Sequence, residues 1–392
     1  MTFNNFSIEL TKSLKTEIKK QQGIFFTSSD TVSQILNNLN FENVKNILEP
    51  SCGSCEFVFA INKLYPDIKI DAVELNTEIY NTITGQDFEN ITFYNEDFLK
   101  KNFDKKYDLI IGNPPFFTIG KNEVSSGYYK YFSGRPNIYI IFILKSLELL
   151  EENGTVCFVL PQNFLNCLYY KKTREYIYNN YTILDIQTLS SSFLETKQET
   201  ILLSVKNEKP AFNDSFLFEK TFMTLGNEVE ISSLKEIISG SKTLNELGFV
   251  CKVGTVVWNQ NKPLLTNSSE NNTKLVYAST LNNGILQLET IDKNKPGYIS
   301  NKEAITDCVL LVNRGYGKGK FKLNYSIMTG DYPYLVENHV IIIKSKTKPT
   351  IGNYKKLIKS FEDPRTEKFI KSYFKNNSMN TTELNYILPI YQ

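Results

Sequence analysis

An α/β fold organised around a parallel sheet is what this 392-residue sequence predicts, and three observations carry that reading. Short apolar runs recur at residues 46–49, 68–74, 91–94, 107–112 and 154–160, lengths suited to strands buried on both faces. Helical patterns fill stretches between them, as at residues 58–64. Small, acidic or prolyl residues end the runs, and it is at the carboxyl ends of such strands that a doubly wound sheet gathers its ligands.

Each element has its own justification. Gly23-Ile24-Phe25-Phe26-Thr27-Ser28-Ser29-Asp30 precedes a helix expected over residues 31–39, with Ser29 or Asp30 as its cap. The strand 46–49 runs into Pro50-Ser51-Cys52-Gly53-Ser54-Cys55-Glu56-Phe57 and then a helix. A strand-to-helix turn of small residues lets backbone approach a ligand and presents free N–H groups. The strand 68–74 ends on Glu74, 25 residues after Glu49, where an acid usually takes ribose hydroxyls. The strand 91–94 leads to Asn95-Glu96-Asp97-Phe98.

The run 107–112 delivers Asn113-Pro114-Pro115-Phe116. Asn113 brings a side-chain carbonyl acceptor, and Pro114 a backbone carbonyl without a competing N–H in a turn that two prolines stiffen. Phe116 adds a flat apolar face. Two fixed acceptors beside a stacking ring suit a planar exocyclic amine, held while its lone pair attacks a carbon. A further helix, containing Phe142, is expected to open near residues 134–142 and run to about residue 152. The strand 154–160 follows, and a loop with Phe193 precedes the strand 200–205.

In this order the segments resemble the motifs of the gamma-class amino-methyltransferases that act on adenine N6 in nucleic acid, over roughly residues 19–206. The family's cofactor loop is acid-Pro-x-x-Gly-x-Gly-x-Phe; Glu49, Pro50, Gly53 and Phe57 match, whereas Cys55 stands where glycine is common. Its lid segment is Gly-x-x-x-Thr-Pro; Gly23 and Thr27 match, and Ser28 replaces proline. The resemblance implies a Rossmann-like S-adenosylmethionine-dependent methyltransferase sheet with a C-terminal α+β target-recognition domain. It implies Asn113, Pro114, Pro115 and Phe116 as the catalytic turn. Thr27, Glu49, Pro50, Cys52, Gly53, Glu74, Asp97, Phe98, Asn113 and Phe142 would bind S-adenosyl-L-methionine, Asp97 and Phe98 at its adenine. Phe116 and Phe193 would stack a flipped adenine, since N6 is poorly aligned inside the duplex.

The length exceeds the usual single-core limit of about 250 to 300 residues. A catalytic domain over residues 1–240 and a recognition domain over 241–392 are expected, because charge divides there. Residues 241–392 hold 21 Lys and Arg against 12 Asp and Glu, net +9; the rest holds 23 against 30, net −7. The basic part points to a polyanion, double-stranded DNA. Within it, Arg314, Tyr316, Lys318 and Lys320 alternate with glycines in a loop suited to a phosphate backbone or a groove. Residues 252–258, 337–342 and 383–389 resemble pieces of target-recognition domains, and residues 354–374 read as amphipathic helices broken near Pro364.

Cys52 and Cys55 are spaced as a redox pair or half a zinc site, but no second close Cys/His pair accompanies them, so no metal is expected. No apolar stretch is long enough for a membrane helix, and the N-terminus lacks a signal pattern. A monomer in a DNA-containing cytoplasm is expected, with a cognate restriction endonuclease as a partner. Rival readings are an RNA adenine-N6 methyltransferase, a protein-glutamine methyltransferase, disfavoured by the basic C-terminal part, and a non-enzymatic DNA-recognition subunit.

Overall fold

The computed structural model describes residues 2–85, 88–189, 199–219, 222–286, 295–300, 302–315, 322–347, 350–374 and 378–392. The chain forms two compact units, Met1–Ile231 and Ser232–Gln392.

In the first unit, β1 (Asn46–Glu49), β2 (Lys69–Val73), β3 (Ile91–Tyr94), β4 (Tyr107–Gly112), β5 (Leu150–Pro161), β6 (Thr182–Leu189) and β7 (Thr200–Lys206) join in the order β3-β2-β1-β4-β5-β7-β6. Strands β1 to β5 pair in parallel, whereas β7 is antiparallel to both its neighbours. Alternation along β4 sends Leu109 and Ile111 to one face and Ile110 to the other, and all are buried. The first face is covered by α1 (Asn5–Ser13), α3 (Ser29–Asn37), α4 (Glu56–Leu64) and α5 (Thr77–Ile83). The second is covered by α6 (Ile138–Glu148) and α7 (Lys171–Asn180), while α2 (Thr16–Gln22) leads into the Gly23 turn. This is the α/β sheet of the methyltransferases that the sequence predicts.

Two local details differ from expectation for identifiable reasons, and one tie was not foreseen. Ser28, not Ser29 or Asp30, caps α3: its hydroxyl accepts from the Thr31 N–H at 3.2 Å. A proline at that position could supply no such cap. The helix expected to reach residue 152 stops at Glu148, because residues 151–154 form a bulge in β5 between the pairs Tyr107–Leu150 and Leu109–Thr155. The exposed polar run Glu151-Glu152-Asn153 imitated a helix end. Asn153 turns there in the left-handed region, φ 66°. Finally, the fully buried Arg174 donates to the carbonyls of Phe164, Cys167 and Met223, fixing the loop that follows β5.

The second unit holds an antiparallel sheet of Phe249–Val253, Val340–Ser345, Val309–Asn313 and Tyr325–Met328, in that order. A second sheet joins Leu265–Thr266, Tyr298–Ile299, Thr273–Val276 and Tyr334–Val336. The amphipathic segment forms two helices, Ile351–Phe361 and Pro364–Tyr373, with Asp363 capping the second and Pro364 at its start. Gly254 lies so close to the carbonyls of Val336 and Glu337 that a Cβ there would stand 2.3 Å from an oxygen.

Candidate active site

The turns after β1, β2, β3 and β4 converge on one cleft at the carboxyl edge of the sheet. It is lined by Gly23, Phe25 and Phe26 of the lid segment, Pro50, Ser51 and Gly53 of the cofactor loop, and Glu74. Asp97, Phe98, Asn113, Pro115, Phe117, Ile138 and Phe142 complete most of its wall.

Glu74 directly follows β2, nearly buried, and its two oxygens accept from the N–H groups of Gly53 at 2.9 Å and Asn76 at 2.7 Å. Burial raises its pKa to about 7, against the opposing pull of those N–H groups. Asn76 also donates to Gln22, tying this turn to the start of the lid. Behind the cleft, Glu49 is fully buried with one oxygen unpartnered, and burial first, then the Glu74 charge, pushes its pKa well above the carboxylate range. Cys52 donates its N–H to the Val73 carbonyl, and Cys55 occupies the left-handed region at φ 59°, where the family's glycine would sit without strain. Both cysteines are free thiols whose pKa burial raises. They fill the turn as small apolar groups.

The Asn113 amide is oriented. Its Nδ2 donates to the Phe25 carbonyl at 2.9 Å, which leaves Oδ1 buried and unpartnered. A buried acceptor without a donor costs about 1–3 kcal/mol, so a donor brought to this atom would be stabilising. The Asn113 carbonyl in turn accepts from the Ser51 hydroxyl at 3.3 Å. Gly23, at φ 62°, packs on the catalytic turn so closely that a Cβ would stand 2.8 Å from the Phe116 nitrogen. Lid and catalytic turn are therefore in contact.

Phe116 packs its ring edge-to-face with Tyr139 at 5.9 Å, and Tyr139 continues to Phe164 and Tyr170. Phe98 meets Phe142 at 4.9 Å. Thr27, Glu49, Cys52, Pro114 and Phe116 stand beside or behind the cleft rather than in its wall, while the other expected cofactor residues line it. Phe193, Tyr316, Lys318 and Lys320 lie outside the described residues. Arg314 directly follows the strand Val309–Asn313 of the second unit; its N–H donates to the His339 carbonyl, and its own carbonyl accepts from the Met379 N–H. The recognition-like segments 252–258 and 337–342 meet there, Gly254 donating to Val340 and Asn338 to Val256.

Residues 5–193 match the Eco57I restriction-modification methylase family. Over that stretch the chain is similar to Eco57I-type methylases. Over 375 residues the chain is 27% identical to the type II methyltransferase M.CvrRI of Paramecium bursaria Chlorella virus XZ-6E, covering 94% of each protein. It is 27% identical to the modification methylase CviBIII of Paramecium bursaria Chlorella virus NC1A, over 87% of this chain and 88% of the relative. A cryo-electron microscopy structure of a DrdV–DNA complex aligns with a TM-score of 0.53 at 12% identity, over 93% of this chain and 54% of that one, a likeness of fold.

The methylase uses S-adenosylmethionine, and the cleft suits it. Its charged wall is acidic, Glu74, Glu96 and Asp97, against a donor that carries a sulfonium and an ammonium. Phe98 and Phe142 line the cleft, and the buried Asn113 oxygen in its wall has no partner.

Sequence reasoning missed several participants. Phe25 was visible only as part of an apolar pair, and its role is played by a backbone carbonyl that no residue type signals. Phe117, just past the Asn113–Phe116 turn, and Ile138, at the start of α6, line the cleft as well.

Proposed function

We propose that the chain is a gamma-class, site-specific adenine-N6 DNA methyltransferase, with the basic second unit serving target recognition. One observation carries the reading: at the end of β4 the Asn113 amide is locked by the Phe25 carbonyl so that its free end is an acceptor. An acceptor suits an amine substrate, whose N–H groups must be held while the nitrogen lone pair is aimed. The Pro114 carbonyl would take the second N–H, Phe116 would stack the extruded base, and Tyr139 would steady that ring. S-adenosylmethionine supplies an electrophilic methyl group on a leaving thioether that needs no proton. No strong base is required of the chain, and the methylated amine loses its proton to solvent.

The adenine assignment rests on the Asn-Pro-Pro-Phe turn, and the DNA assignment on the relatives and the basic second unit. The test is digestion of duplex DNA, incubated with the chain and methyl-labelled cofactor, to nucleosides for mass spectrometry. N6-methyladenine is expected; methyl label only in cytosine, or only in RNA offered in parallel, would overturn the reading. Asn113→Ala should abolish transfer while weakening the cofactor by no more than about fivefold, the loss of one neutral hydrogen bond to the lid.

A further inference from the structure

We propose that Lys145 is a positioning residue for the adenine end of the cofactor. It lies on α6, one turn after Phe142. Its ammonium donates to the carbonyls of Phe98 and Lys101, each at 2.6 Å, and stands 5.0 Å from the centre of the Phe98 ring and 5.7 Å from that of Phe103. One side chain thus clamps both ends of the turn that presents Asp97 and Phe98 to the cleft. Beyond the packing of the Phe98 ring, its other hydrogen bonds among the described residues are local: the Leu99 N–H donates to Asp97, the Lys100 and Lys101 N–H groups donate to the Asp97 carbonyl, and the Lys101 ammonium donates to Glu96.

Charge-assisted bonds to two carbonyls are stronger than neutral ones, and cation–π contact adds to them. Lys145 is only partly buried, and helix α6 is held on its other positions by buried apolar residues, so the lysine is not needed to seat the helix. What it controls is the spacing between Phe98, which packs on Phe142, and the Asp97 carboxylate. That spacing decides whether the acid reaches the purine's exocyclic amine while the rings hold its face.

The inference rests on the reading of Asp97 and Phe98 as adenine contacts, and the experiment separates the two. In the full chain, Lys145→Met keeps the stem and removes the donors. Titration with S-adenosylhomocysteine and its inosine counterpart, which lacks the exocyclic amine, should show affinity for the first falling about tenfold and for the second far less. Discrimination between the two should therefore collapse. With S-adenosylmethionine the loss should fall on KM rather than kcat, and Lys145→Arg should restore most of it. Equal weakening of both nucleosides, or unchanged discrimination, would overturn the proposal. Should Lys145→Met fail to fold, Lys145→Leu, which also lacks a donor, gives the same readout. Asp97→Asn tests the underlying reading: if it leaves discrimination intact, the adenine assignment itself fails, whereas loss in Asp97→Asn with none in Lys145→Met refutes only the lysine's role.

Discussion

Replacing Glu74 by glutamine separates two demands made on one carboxylate. Burial raises its pKa from 4.5 to about 7, although Gly53 and Asn76 donate to it. The folded chain therefore holds a proton that the unfolded chain releases. Stability linked to the neutral acid is present below pH 4.5 and is lost as pH rises through about 7. A shift of about 2.5 units corresponds to roughly 3 kcal/mol. Urea unfolding at about pH 5 and about pH 8 should show the natural chain losing about that much more than Glu74→Gln, whose amide does not titrate. Cofactor affinity should run the other way, because ribose hydroxyls donate to the ionised carboxylate. Affinity should tighten up to about tenfold per pH unit as pH approaches 7 and level off above, while the glutamine variant stays flat and weaker by about 1–3 kcal/mol. A natural chain whose affinity is flat across that range, or a variant with the same slope, would refute the assignment of Glu74 to the ribose.

Further outcomes follow from other contacts. Gly23→Ala should abolish activity and lower stability by about 1–2 kcal/mol, since a Cβ at φ 62° meets the Phe116 nitrogen; thermal melts and turnover check it. Arg174→Met leaves the Phe164, Cys167 and Met223 carbonyls without their donor and should cost about 3 kcal/mol in urea unfolding. DNA affinity should fall steeply with salt, and removing the charges of Lys318 and Lys320 should reduce the log–log slope by roughly 2, measured by fluorescence anisotropy.

The cofactor half was legible because its strands are continuous apolar runs and its turns carry residues with narrow uses, such as the Asn113 turn and Glu74. Strand β6 was not: Thr182–Leu189 places Asp185 and Gln187 among its apolar residues, as an edge strand can, and reads equally as loop. Helices α1 and α2 are short and polar, and their apolar positions acquire meaning only against the sheet. The ties that orient the site escaped notice for a common reason. The Phe25 carbonyl, the Lys145 clamp and the Arg174 clamp all use backbone acceptors, which every residue carries and no sequence pattern marks.

Strands β1 and β4 are hydrogen-bonded neighbours, and the turn meant for the donor leaves one while the turn meant for the acceptor leaves the other. Adjacent strands stand about 4.8 Å apart wherever a sheet forms. The separation between the two reactants is therefore inherited from the main-chain lattice, the least deformable dimension of the molecule. If the second unit serves target recognition as proposed, a change of target sequence is free to redraw its surface without retuning that separation. On the proposed reading, the alignment of methyl donor and amine is set by the sheet before either binds.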